Sequence, residues 1–157
     1  MSQRLNPPEA NPGLYKALIA LEMQIRQSGL PHGLMELVKT RASQINGCAY
    51  CIDMHSRDAR KAGETEARLH LLDAWREAPH YTPRERAALA WTEALTLVAS
   101  TRAPDADYEG LKAHFAEEEI VKLSLLIATI NAWNRLAIGF RAVPPVREEP
   151  ATAQRAA

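Results

Sequence analysis

The sequence predicts an all-α fold, on three observations. Apolar residues recur at helical spacing from Leu14 onward. Proline, glycine and a Thr-Pro-Arg-Glu box punctuate the chain at helix-length intervals. No stretch shows the strict alternation of a half-buried strand, and no Asn-Gly or Asp-Gly hairpin stands out. At 157 residues the chain fits one domain. A domain of this size buries roughly 70% of the surface its unfolded form exposes, so no disulfide is needed to hold it.

Residues 1–13 hold Pro7, Pro8, Pro12 and Gly13 and are expected to form an irregular arm before a helical domain at 14–141. Leu14, Leu18, Leu21 and Ile25 make the apolar stripe of a first helix, ended by Ser28-Gly29. Pro31 opens a second, running from about Leu34 to Ile45, with Leu34, Leu37, Val38, Ala42 and Ile45 facing the core. A different face carries Glu36, Thr40, Ser43 and Gly47; taken alone, Glu36 is expected at the surface, paired with Lys39 or Thr40. A third helix runs from Cys48 or Tyr50 to Lys61-Ala62, closed by Gly63 in a left-handed cap.

Glu64 to about Trp75 is a fourth helix, and Thr82-Pro83-Arg84-Glu85 is a capping box with proline at the first helical position. Ser100 to Asp107 is expected as a loop, followed by a short helix from about Asp107 to His114. The last helix, Glu117 to about Gly139, has Leu123, Leu125, Leu126, Ile127, Ala128 and Ile130 on more than one face. Such a helix is the centre of the domain or is shared between subunits. Asn131 and Asn134 on it are expected to fix packing through hydrogen bonds. Residues 142–157 read as a loosely ordered tail. The total is about six to seven helices.

Lysine plus arginine and aspartate plus glutamate number 19 each, and no basic run occurs, so nucleic acid and anionic membranes are not expected as partners. The N-terminus lacks the apolar stretch of a signal peptide. The segment Ile120 to Phe140 is interrupted by Lys122, Asn131, Asn134 and Arg135 and reads as a core helix, not a membrane span. The expected location is the cytoplasm, where a close cysteine pair is more often catalytic or metal-binding than structural.

The two cysteines of the chain, Cys48 and Cys51, form a C-x-x-C array with His55 one helical turn further on. On a helix begun after Gly47, these three side chains share one face. A cysteine in the first turn of a helix meets unpaired N–H groups and the positive end of the macrodipole, both of which favour thiolate. Three uses fit the array. Thiol redox chemistry would have one sulfur attack and the other resolve, with His55 taking the proton and Glu36 orienting the imidazole. A structural zinc site wants four ligands, but there is no second close pair, and His32, His70, His80 and His114 are scattered. Buried packing cysteines are the third.

The same residues carry a family resemblance. Glu36, Cys48, Cys51 and His55 match the Glu, Cys-x-x-Cys, His signature of the AhpD-like alkylhydroperoxidases in the carboxymuconolactone decarboxylase superfamily. The runs Ser43 to Cys48, Ala59 to Gly63, Glu85 to Leu89 and Asn131 to Arg135 also resemble its small single-domain branch. The likeness spans roughly residues 14–140. It implies an AhpD-like helical domain that assembles as a homo-oligomer, a trimer or a hexamer. It implies a peroxidase, or disulfide reductase, in which Cys51 meets the hydroperoxide, Cys48 resolves it, and His55 and Glu36 relay the proton. No tightly bound cofactor or metal is implied; an external dithiol reductant, lipoyl-bearing or thioredoxin-like, would be the partner.

One position departs from the family pattern: Tyr50 stands where the best-known peroxidases have a histidine. The superfamily's decarboxylases lack the cysteine pair. Two other functions stay open: action on a small cyclic or lactone-like metabolite with His55 and Glu36 as acid and base, and a redox-sensing binding protein.

Overall fold

Proline and glycine set most of the helix boundaries in the computed structural model, which describes residues 2–146. The remainder of the expected tail, 147–157, lies outside the described residues. Among the described residues there are nine α-helices and no strand. They are α1 (Pro7–Ala10), α2 (Pro12–Arg26), α3 (His32–Asn46), α4 (Ala49–Lys61), α5 (Glu66–Leu71), α6 (Pro83–Thr96), α7 (Val98–Thr101), α8 (Asp105–Lys112) and α9 (Glu117–Phe140), with a 3-10 turn at Leu72–Ala74. The two beyond the expected six to seven are the single turns α1 and α7, too short to show a periodicity. One lies in the predicted arm; the other begins just before the loop predicted for Ser100 to Asp107 and runs into it, and α8 starts at Asp105, two residues before the predicted end of that loop.

The capping box forms as read: the Glu85 N–H donates to Thr82 Oγ1 at 3.2 Å and the Thr82 N–H to Glu85 Oε2 at 2.8 Å. Gly47 ends α3 with φ of 69°, the left-handed conformation that side chains disfavour, and turns the chain directly into α4.

The centre of the domain is α3, not α9. Leu34, Met35, Leu37, Val38, Ala42 and their polar neighbours Glu36, Lys39, Thr40 and Ser43 are all buried. Around it gather three apolar clusters. The largest joins α3 to Ile25, Trp91, Leu111, Phe115, Leu123 and Ile127; a second packs Leu37 on Leu72, Trp75, Tyr81 and Leu89; the third holds Ala42, Cys48, Cys51 and Ile130. The last helix is long and apolar enough to cross a membrane by length and composition. Here Leu123, Leu126, Ile127 and Ile130 lie in the core while Val121, Leu125 and Ile138 are exposed.

The stripe expected on α2 is also displaced. Leu14 and Leu21 are exposed, and the inward line is Tyr15, Leu18, Glu22 and Ile25. The cause is specific partnering. Tyr15 packs edge-on against Trp133 of α9 with ring centroids 5.3 Å apart, and Glu22 pairs with the buried Lys39.

Glu93 of α6 ties the periphery together. Its carboxylate accepts from Arg41 Nε of α3 at 3.0 Å, Trp75 Nε1 at 2.8 Å and Arg76 Nη2 at 2.7 Å. Burial alone would raise its pKa, but the hydrogen bonds from Trp75, Arg76 and Arg41 hold it below the usual glutamate value. Glu93→Ala is expected to lower stability by about 3 kcal/mol at neutral pH, read by urea unfolding, because it strips partners from Arg41 and Trp75. A carboxylate with a lowered folded pKa stabilises fully above its unfolded value and loses that contribution as pH falls through the folded one. The gap between wild type and variant should therefore close below about pH 4.

Candidate functional site

The turn at Gly47 delivers both sulfurs to one place. Cys48 is the N-cap of α4 and Cys51 lies in its first turn, with their Sγ atoms 2.8 Å apart and both cysteines reduced and buried. A thiolate here accepts the neighbouring S–H. That hydrogen bond from Cys51, against the opposing effect of burial and with help from the backbone N–H groups of Cys51 and Tyr50 and the Asn134 amide, lowers the Cys48 thiol to about 7. Cys51 is raised, by its hydrogen bond to Cys48, by burial and by the Cys48 charge. The pair thus gives up one proton readily and holds the second.

One turn further on, His55 Nδ1 stands 2.8 Å from Glu36 Oε2 across the α3–α4 contact. Glu36 is 1% exposed, not the surface glutamate that base rates place there. Burial pushes its carboxyl upward, but the His55 hydrogen bond and the charges of His55, Lys39 and His32 outweigh this and hold it below the ordinary value. The other carboxylate oxygen, Oε1, lies 3.6 Å from His32 Nε2 and 3.9 Å from Lys39 Nζ. Lys39 itself hydrogen-bonds Glu22 of α2, whose Oε2 is buried with no hydrogen-bond partner among the described residues. His55 and Cys51 line one pocket, although no hydrogen bond joins them among the described residues.

Asparagines lock the cysteine turn onto α9. Asn46 Nδ2 donates to Asn131 Oδ1 at 3.0 Å and Asn134 Oδ1 at 2.8 Å, and Asn134 Nδ2 donates to Ser43 Oγ at 3.1 Å. Asn134 is fully buried and also stabilises negative charge on both sulfurs. The packing role read for Asn131 and Asn134 thus carries an electrostatic one at Asn134.

A cavity of about 490 Å³ opens on Cys51 and His55. Its walls are mostly aromatic and apolar, from Tyr15, Tyr50, Met54, Trp133, Leu136 and Phe140, with Glu22, Arg26 and Asp58 adding charge. Gln3, Asn6, Pro7 and Pro8 of the N-terminal arm complete it, held there because Arg4 donates to the carbonyls of Phe140 at 2.9 Å and Gly139 at 3.1 Å. Cys48 does not line the cavity. Glu36, His55 and Asp58 place donor atoms within 4.8 Å of one another, a spacing a cation could use. Glu36 is already shared between His55 and Lys39, however, so an ion would have to break that pair and sit beside an ammonium.

Against known proteins, the model of the carboxymuconolactone decarboxylase family matches residues 12–94, the span that holds Glu36, both cysteines and His55. The chain belongs to this family. A curated relative in Bacillus subtilis (strain 168), the uncharacterised protein YdfG, is 47% identical over 138 residues, covering 88% of this chain and 94% of the relative. A crystal structure from Agrobacterium tumefaciens, of a protein of unknown function conjectured to be the antioxidant defence protein AhpD, superposes with a TM-score of 0.91 at 49% identity, covering 93% of this chain and all of that one. The debrominase Bmp8 shares the fold at 22% identity with a TM-score of 0.76, over 88% of this chain and 74% of its own. The chain is therefore an AhpD-like member of the family.

In this family member the structure brings Cys48 to Cys51 and His55 to Glu36, and the two pairs meet through Cys51 and His55 on one cavity wall. Sequence reasoning named Lys39 as a partner of Glu36 but placed the pair at the surface, where the structure buries both, and it passed over Glu22 and the sulfur contact of Asn134. A signal existed for one of them: Glu22 falls on the helical line Tyr15, Leu18, Ile25, where a carboxylate needs a buried partner. If the Cys51 S–H holds the Cys48 thiolate, Cys51→Ala should move the Cys48 pKa up from about 7. The expected endpoint is near the free-thiol value of about 8.5, followed by ultraviolet thiolate absorbance against pH.

Proposed function

We propose that this protein is a thiol-dependent hydroperoxidase or disulfide reductase whose redox pair is Cys48 and Cys51. The observation that carries the reading is an unbridged pair of sulfurs 2.8 Å apart, of which Cys51 lines a cavity beside His55, whose ring is held from behind by the buried Glu36. Access favours Cys51 as the attacking sulfur, because it faces the cavity and Cys48 does not. Resting negative charge falls instead on Cys48, so Cys51 must first pass its proton to Cys48 or to His55.

In the His55 route, Nε2 accepts the Cys51 proton and the thiolate attacks the terminal oxygen of the hydroperoxide. The O–O bond breaks, and the alkoxide takes the proton back from His55 and leaves as an alcohol. Cys51 is then a sulfenic acid. The Cys48 thiolate attacks its sulfur, the S–O bond breaks, and hydroxide leaves as water after protonation. An external dithiol, lipoyl-bearing or thioredoxin-like, reduces the resulting disulfide by exchange and is itself oxidised. Such a cycle suits a reducing, cytoplasmic setting. Tyr50 offers no basic nitrogen at the cavity wall, so the relay consists of His55 and Glu36. Exposed Leu14, Ile19 and Met23 on α2 and Val121 and Leu125 on α9 support assembly with further copies, as a trimer or hexamer.

A second reading, thiol chemistry on a small cyclic organic molecule, draws on the aromatic walls of the cavity and on a debrominase sharing the fold. Free-thiol titration and intact mass separate the two. One equivalent of an organic hydroperoxide is expected to consume both thiols with loss of two hydrogens, Cys48→Ser to accumulate a sulfenic acid at Cys51, and Cys51→Ser to stop turnover. Thiols that stay free in the presence of hydroperoxide would reject the peroxidase assignment.

A further inference from the structure

Lys39 is the largest side chain that is almost wholly withdrawn from solvent, at 1% exposure. An ammonium in such a place is strongly unfavourable without compensating charge, so its surroundings state its purpose. It lies between two carboxylates. Glu22 of α2 accepts its hydrogen bond, and Glu36 Oε1, one turn back on α3, is 3.9 Å away. The two oxygens of Glu36 are thereby divided, Oε1 toward Lys39 and His32, Oε2 toward His55 Nδ1.

We propose that Lys39 is a positioning residue of the proton relay: clamped by Glu22, its ammonium keeps Glu36 ionised and turned with Oε2 on His55 Nδ1. An ionised carboxylate at Nδ1 requires the proton on that nitrogen, which leaves Nε2 as the free acceptor of the imidazole ring. A protonated Glu36 would reverse this. It would donate to Nδ1, fix the proton on Nε2 and remove the base that a thiol proton needs. The assignment rests on the thiol chemistry proposed above and adds a residue to it.

The charged and titratable groups around Glu36 come from three helices. His32 is on its own helix, His55 and Asp58 are on α4, and from α2 come Glu22 and Arg26, whose Nη2 stands 3.5 Å from His32 Nε2. Without Lys39, Glu22 and Glu36 face one another with no buried cation between them. A second carboxylate nearby and the loss of the ammonium both favour the protonated form of Glu36, leaving His55 and His32 alone to oppose it, and it is Glu36 whose ionisation the relay needs.

The test is the pH dependence of Cys51 alkylation by iodoacetamide in a Cys48→Ser protein, where Cys51 is the one thiol left, and it needs neither peroxide nor reductant. In that background Lys39→Met is expected to slow alkylation at neutral pH about tenfold and to move the midpoint of the profile up by about one unit, while Lys39→Arg restores the profile of the protein that keeps Lys39. A Lys39→Met protein with a lower melting temperature but an unmoved midpoint would make Lys39 merely structural and overturn the assignment, as would an equal defect in Lys39→Arg. Lys39→Gln serves the same comparison where the methionine variant does not fold. In the wild-type protein, the carboxyl carbon NMR shift of Glu36 should show it ionised at neutral pH; a protonated Glu36 beside Lys39 overturns the assignment whatever the variants do. Failure of hydroperoxide to oxidise the wild-type thiols would count against the peroxidase reading alone.

Discussion

A carboxylate placed where water does not reach governs the rest of this structure. Glu36 is buried in the middle of α3, and a buried charge is tolerated only with partners close enough to replace water. Those partners come from its own helix and its neighbours. His55 reaches it from α4, Lys39 and His32 from α3, and Glu22 balances Lys39 from α2. The His55 contact also fixes how α3 meets α4, and the Glu22–Lys39 contact how α2 meets α3. The inward face of α2, the depth of α3 and the approach of α4 therefore follow from neutralising one side chain, as much as from covering apolar surface.

Local chemistry was legible in the sequence, and the burial of charge was not. The Thr82 capping box, the glycine stops at Gly47 and Gly63, and the cysteine pair with its helix-spaced histidine depend on residues within a turn of each other, so spacing alone reveals them. Glu36 and Lys39 have the spacing of an ordinary surface pair, three residues apart on one helix, and nothing within α3 says that three other helices close over them. The resemblance, and not periodicity, moved Glu36 into the site. On α2 the apolar count favoured the line through Leu14 and Leu21, while the true inward line contains a glutamate that hydropathy scores as outward. Of the two readings of the last helix, centre of the domain or shared between subunits, the first gave way to α3 for a related reason. Composition measures how apolar a helix is, whereas centrality depends on how many neighbours surround it.

The sulfurs belong to the core as well as to the chemistry. Cys48 and Cys51 pack with Ala42 and Ile130, and the turn that carries them is pinned by Asn46, Asn134 and Ser43. Geometry that must hold to a fraction of an ångström is thus supported by close packing on one side and directed hydrogen bonds on the other. Within that frame the two sulfurs are unequal. Cys48 receives the helix N–H groups and Cys51 receives the cavity, so charge stabilisation and access are assigned to different atoms of one pair.

The arm fastened by Arg4 to the last turn of α9 gives the cavity a wall that owes nothing to the buried core. Gln3, Asn6, Pro7 and Pro8 can change without disturbing a charge, a sulfur or a central helix. The rim of the cavity is in this way carried on a different stretch of chain from the side that holds Cys51 and His55, while the aromatic walls between them come from α2, α4 and α9.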